Sequence, residues 1–123
     1  MGDSGCDVAA RGPGRLLSAR LNGMDFSPDD DHVAIADAVG RVCADFDDAY
    51  WAERDQRHEF PWAFYAAMAE GGWLGVAIPD EYGGGGRGIT ECAIVLNRVA
   101  ASGAAMNGSS ALHLTMFGLN PVV

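Results

Sequence analysis

Ser109, Ser110 and His113 stand close enough in sequence to meet within one helical turn. A hydroxyl beside an imidazole is the start of a nucleophile–base pair, which then needs a carboxylate to orient the base. No acid stands near these three residues and no GxSxG turn carries either serine, so hydrolytic chemistry is not expected. A histidine on an otherwise apolar stretch, here ALHLTMF, reads first as a partly buried packing residue and second as the lining of a pocket. His32, His58 and His113 show no pair at the three- or four-residue spacing that puts two ligands on one helix face. Cys6, Cys43 and Cys92 are odd in number and form no CxxC, which argues against a zinc site or a disulfide framework and fits a reducing cytoplasm. No metal site is expected.

The loop Gly83–Gly88 formally matches GxGxxG, with Gly83, Gly85 and Gly88, and has an apolar run before it and a helix pattern after it. Pro79, Asp80 and Glu81 separate that run from the glycines, and the two acids would repel a pyrophosphate. A dinucleotide fold would also place an acid after a second strand about 20 residues on, where this chain has Asn107-Gly108. With no lysine anywhere, a Walker loop is ruled out. The plainer reading of the loop is a flexible hinge. Between Asp25 and Glu59 there are eleven acids against three arginines, a pattern that usually marks a solvated face rather than paired catalytic carboxylates. The formal net charge of −9 argues against nucleic acid or an anionic membrane surface as partner. No stretch reaches the roughly 18 apolar residues that a membrane span needs.

The elements that would position these residues are helical. A glycine-bearing leader over 1–24 has no steady period; its arginines faintly suggest a transit peptide, which Asp3 and Asp7 oppose. Ser27 as cap, Pro28 and the following aspartates open a first helix, and Ile35, Val39, Val42 and Phe46 carry one apolar stripe to about Tyr50. Trp51–Glu59 reads as a charged link. A second helix opens at Pro61, stacks Phe64 on Met68 and ends at Gly71-Gly72. Trp73–Ile78 is a strand or a buried loop. A third helix, from about Thr90 to about Ser102, is apolar nearly all round and so offers surface to another domain or subunit. A fourth runs from about Met106 to about Phe117, and the tryptophans and tyrosines are expected to fill the core. The fold class is all-α: a small bundle of about four helices with a Gly-rich connector. The apolar ending Pro121-Val122-Val123 reads as an interruption, so the domain over 25–123 is expected to be incomplete at its C-terminal end.

Phe60-Pro61, then Ala69-Glu70-Gly71-Gly72-Trp73-Leu74-Gly75-Val76, then Ile78-Pro79-Asp80-Glu81-Tyr82-Gly83-Gly84 resemble the N-terminal signature of the acyl-CoA dehydrogenases. The helix Thr90–Ala100 and the stretch Ser110–Pro121 are similar to the family's following segments, and the drift of Val42–Asp48 is closest to actinobacterial members. The resemblance implies an FAD-dependent enzyme that oxidises an acyl-CoA thioester to the trans-2-enoyl-CoA and passes electrons to an electron-transfer flavoprotein. It implies a homo-oligomer in the complete form. It also places the catalytic glutamate and most flavin contacts beyond this domain, so no catalytic residue is assigned, and Glu70, Glu81 and Glu91 match surface or loop positions. By the match of Gly118 and Pro121 to the family's G-x-x-P, the preceding helix would line the acyl pocket with Ser109, Ser110 and His113. Gly85-Gly86-Arg87 departs from the family's G-L-G and makes the loop more polar. The alternative reading is a non-catalytic helical interaction module, or a shortened paralogue, that docks on a full-length partner.

Overall fold

The computed structural model describes residues 27–118; the expected leader over 1–24, with Cys6, lies outside them. Within that span the chain forms helices α1 (Asp30–Cys43), α2 (Asp48–Arg57), α3 (Trp62–Glu70), α4 (Ile89–Val99) and α5 (Ala105–Gly118). Between α3 and α4 lie two 3-10 turns, Trp73–Gly75 and Asp80–Tyr82, and no strand occurs among the described residues. The bundle is all-α, as expected. The apolar run Trp73–Ile78 is a tight turn, because the left-handed Gly72 (φ 77°) swings the chain immediately before it.

The stripe read as one helix to Tyr50 is divided in two. Asp47 accepts a hydrogen bond from the Tyr50 N–H at 2.9 Å, which caps a new helix. The acids Asp45, Asp47 and Asp48 would sit badly against the negative end of a continuing helix and sit well at the start of the next one. The charged link expected over Trp51–Glu59 is therefore mostly α2. It closes at His58 in the left-handed conformation (φ 53°), with the Glu59 N–H donating to the Arg54 carbonyl at 3.1 Å. Helix α1 is capped by Asp29, not Ser27: its carboxylate accepts the His32 N–H at 2.8 Å.

α1 packs along α4, and the two run parallel. His32 near the start of α1 faces Glu91 near the start of α4, Nε2 to Oε1 3.4 Å. Further along, Arg98 lies over Gly40, where an added Cβ would stand 2.7 Å from the guanidinium Nε. Val39 and Cys43 of α1 meet Cys92, Val95 and Val99 of α4 in a core completed by Phe64 and Met68 of α3 and by Leu112 and Met116 of α5. Trp51 joins α2 to this core. Its ring stacks edge-on against Phe64 at 5.0 Å, and its indole N–H donates to the Phe46 carbonyl at 3.2 Å. Gly108 lets α5 settle over that ring. A Cβ there would stand 2.5 Å from Ala104 Cβ and 3.1 Å from the far edge of Trp51.

The chain enters α4 through a carboxylate clasp. Glu91 accepts the Gly88 N–H at 2.8 Å and contacts His32. Its own backbone N–H, then that of Gly88, then His32 hold its carboxyl below the ordinary value of 4.5. A carboxyl depressed in the folded state adds stability above its unfolded value and loses that contribution as pH falls through the folded one. Between about pH 5 and about pH 3 the native chain should therefore lose more unfolding free energy than Glu91→Gln, as urea titrations at stepped pH would read. Gly108→Ala should cost about 1–3 kcal/mol in the same assay at neutral pH, because the α5–Trp51 contact cannot widen without moving a helix.

Candidate functional site

The helix that carries the candidate residues begins with backbone strain. α4 unwinds through the wide turn Ala100–Ala104, in which Gly103 is left-handed (φ 96°). Ala105 then takes φ 44° and ψ −131°, a conformation natural to glycine and costly for alanine. The Ser102 hydroxyl donates to the Val99 carbonyl at 2.7 Å and finishes α4.

From there α5 separates into two faces. Gly108, Ala111, Leu112 and Met116 are buried. Met106 and Leu114 stand 77% and 75% exposed, with Ser110 and His113 exposed beside them. His113 stacks on Phe117, ring centroids 5.3 Å apart. Ser109 lies at the boundary, half-buried, and its Oγ is enclosed without a hydrogen-bond partner. Ser110 opens onto a cleft with Asp55, Phe60 and Met106, whereas His113 turns to Phe117. The three predicted residues thus share one helix but form no hydrogen-bonded triad. Thr115, on the same helix, is hydrogen-bonded to the Tyr65 hydroxyl at 3.2 Å and ties α5 to α3.

The expectation of an over-apolar third helix is not met by α4. It buries Cys92, Val95 and Val99 and turns Ala93, Asn97 and Arg98 to solvent. The exposed apolar face belongs to α5. The aromatic residues also divide. Trp51, Trp73, Tyr50 and Tyr65 pack on the core, but Trp62 is 70% exposed and Tyr82 62% exposed. Trp62 forms a surface cluster with Phe60 and Tyr65, its ring 4.5 Å from Phe60 and 6.2 Å from Tyr65. Trp62 stands two positions from the buried Phe64, on the far side of the same helix, so the helical period already marked it as an outward residue. Leu114 bears the same relation to Leu112 and Met116, and Met106 to the buried Gly108.

The glycine loop cannot cradle a phosphate. The N–H groups of Gly85, Gly86 and Arg87 donate to the carbonyls of Gly75, Ile78 and Val76, each at 2.9 Å. These bonds also make the loop a fixed turn rather than the hinge expected. Arg87 pairs with Asp31 at 3.6 Å. This loop therefore supplies no pyrophosphate seat, and a flavin does not fit it. Among them no cluster of three or more His, Cys, Asp or Glu could hold a metal ion. Burial pushes the Cys43 and Cys92 thiols up, away from the reactive thiolate form. No described helix is long and apolar enough to cross a membrane.

The chain belongs to the acyl-CoA dehydrogenase family: residues 29–123 match the family described as acyl-CoA dehydrogenase, N-terminal domain. It is similar to an acyl-CoA dehydrogenase of Mycobacterium tuberculosis, 33% identical over 86 residues, which are 70% of this chain and 22% of that protein. It is similar also to the benzylmalonyl-CoA dehydrogenase of Aromatoleum aromaticum, 30% identical over 93 residues, 76% of this chain and 25% of that one. The Bacillus subtilis acyl-CoA dehydrogenase is 26% identical over 69 residues. The chain thus spans about a fifth to a quarter of the length of the curated relatives it matches. No solved structure gives a significant match.

Because Ala105 carries a glycine conformation, Ala105→Gly should raise stability by about 1 kcal/mol, read as a higher urea midpoint with an unchanged slope. A fall in stability would mean that the left-handed turn is supported by its surroundings.

Proposed function

We infer that this chain is the N-terminal domain of an FAD-dependent acyl-CoA dehydrogenase that carries out α,β-dehydrogenation of acyl-CoA thioesters in fatty-acid or related acyl catabolism. The observation that carries the reading is the family match over residues 29–123. In the complete enzyme the flavin would accept a hydride from the β-carbon, and an electron-transfer flavoprotein would take the electrons onward. The catalytic base and most of the flavin contacts are assigned to parts of the enzyme outside this chain, in keeping with a glycine loop whose N–H groups are spent on its own carbonyls. The complete enzyme is read as a cytoplasmic homo-oligomer, and the domain as residues 25–123.

The chain's own contribution is shape and packing. Ser109, Ser110 and His113 would form part of the acyl-pocket wall, where small side chains leave room for a long or bulky acyl group.

A second reading, a non-catalytic interaction module, is favoured by one observation: the solvent-facing Met106, Leu114 and Trp62. The mass of the native product in its source cell separates the two. A mass several-fold above 12.9 kDa is expected for the enzyme, and a mass near 12.9 kDa would sink that reading. In the complete enzyme, Ser110→Phe should lower kcat/KM for long acyl-CoA by about 10- to 100-fold while sparing short ones, on the scale of one or two methylenes of pocket space. Equal loss for all chain lengths would remove Ser110 from the pocket.

A further inference from the structure

A single imidazole joins the starts of α1 and α4. His32 meets Asp29 through Nδ1 at 3.2 Å and Glu91 through Nε2 at 3.4 Å. Each carboxylate also holds a helix start. Asp29 Oδ1 accepts the His32 N–H, and Glu91 Oε2 accepts the Gly88 N–H. The His32 and Glu91 side chains are 22% and 18% exposed, so solvent screens them less than it would a fully exposed pair. The other charged groups at this end are mostly acids. Asp30 and Asp31 stand in the first turn of α1, and Asp80 lies beside Gly86 in the glycine turn. Arg87, in that turn, pairs with Asp31 at 3.6 Å. Because α1 and α4 run parallel, their positive ends lie side by side, and the two capping carboxylates come to face one ring from opposite sides.

A neutral imidazole carries one N–H and one lone pair. Set between two carboxylates, it donates to one and turns its lone pair on the other. The doubly protonated ring donates to both. We propose that His32 is a proton-operated tie between α1 and α4, closed when the ring carries both protons and released on one side when it loses one. Histidine is the side chain whose charge ordinarily changes between about pH 5 and about pH 8, whereas carboxylates are ionised throughout that range. The tie therefore adds stability on the acid side of neutrality and loses part of it as pH rises. Release is local. Asp29 and Glu91 keep their backbone N–H partners, so both helices persist. What is freed is the start of α1 relative to α4, together with the Asp31–Arg87 contact that joins α1 to the glycine turn. This inference does not depend on the enzymatic reading.

The test is a pair of double-mutant cycles on the full chain, read by urea unfolding at about pH 5.5 and about pH 8.5. One cycle combines His32→Ala with Glu91→Gln, the other His32→Ala with Asp29→Asn. The amide side chains keep an acceptor at each helix start. His58 and His113 are present in every form, so their own titration cancels. At the acid pH each cycle should show a coupling of about two- to fivefold in the unfolding constant, the scale of a partly exposed ion pair. At the alkaline pH the summed coupling should fall, because one N–H serves one carboxylate. Absence of coupling from either cycle at the acid pH would overturn the proposal. So would a summed coupling that does not fall at the alkaline pH, because the contacts would then owe nothing to the second proton.

Discussion

The bundle depends on the seating of one indole. Trp51 closes the Phe46 turn with its N–H, lays its face against Phe64 of α3 and fills the space that α5 leaves at Gly108. Three helices thus take their positions from one side chain, and the parallel α1–α4 pair closes the other side of the core. Edge-on aromatic contacts are directional, so they set angles as well as excluding water. Shrinking Trp51 would remove a common reference for α2, α3 and α5 as well as apolar area.

Much of the bundle was legible because its signals are local. The stripe Ile35, Val39, Val42, the stacked Phe64 and Met68, and the double glycine at 71–72 all act within a turn or two. What misled was α2. Its sequence DAYWAERDQR is too polar for a periodic stripe, and its single buried residue is Trp51. One large anchor replaces the three or four apolar positions that a pattern search needs. The division at Asp47 was visible in principle, since an aspartate three residues before a helical N–H is a cap signal. It was masked by an apolar stripe that continued through Phe46 by coincidence of spacing.

The site was less legible than the fold, for a physical reason. Ser109, Ser110 and His113 were singled out as neighbours in sequence, but a helix distributes neighbours around its axis. The structure puts an enclosed hydroxyl, an open hydroxyl and a stacked imidazole in three different surroundings. Helix α5 has no strong stripe, so its residues do not announce which side faces inward. The backbone break at Gly103 and Ala105, the close approach at Gly108 and the Thr115–Tyr65 bond set its rotation. The apolar wall of Met106 and Leu114 follows from that rotation and could not be read from composition.

The turn from Gly75 to Arg87 is held by main-chain bonds, with Val76 buried beneath it: Gly85, Gly86 and Arg87 give their N–H groups to carbonyls about eight to eleven residues back. Its one side-chain tie, Arg87 to Asp31, is an exposed pair of the kind worth under about 1 kcal/mol. A loop written in backbone can change its outward side chains without changing shape, except at Gly84 and Gly85, where a Cβ would collide with the Ile78 and Val76 carbonyls, and at the left-handed Gly83 and Gly86. That makes it a natural surface on which a lineage can repaint charge and polarity, fitting the same bundle to different neighbours while the scaffold beneath stays still.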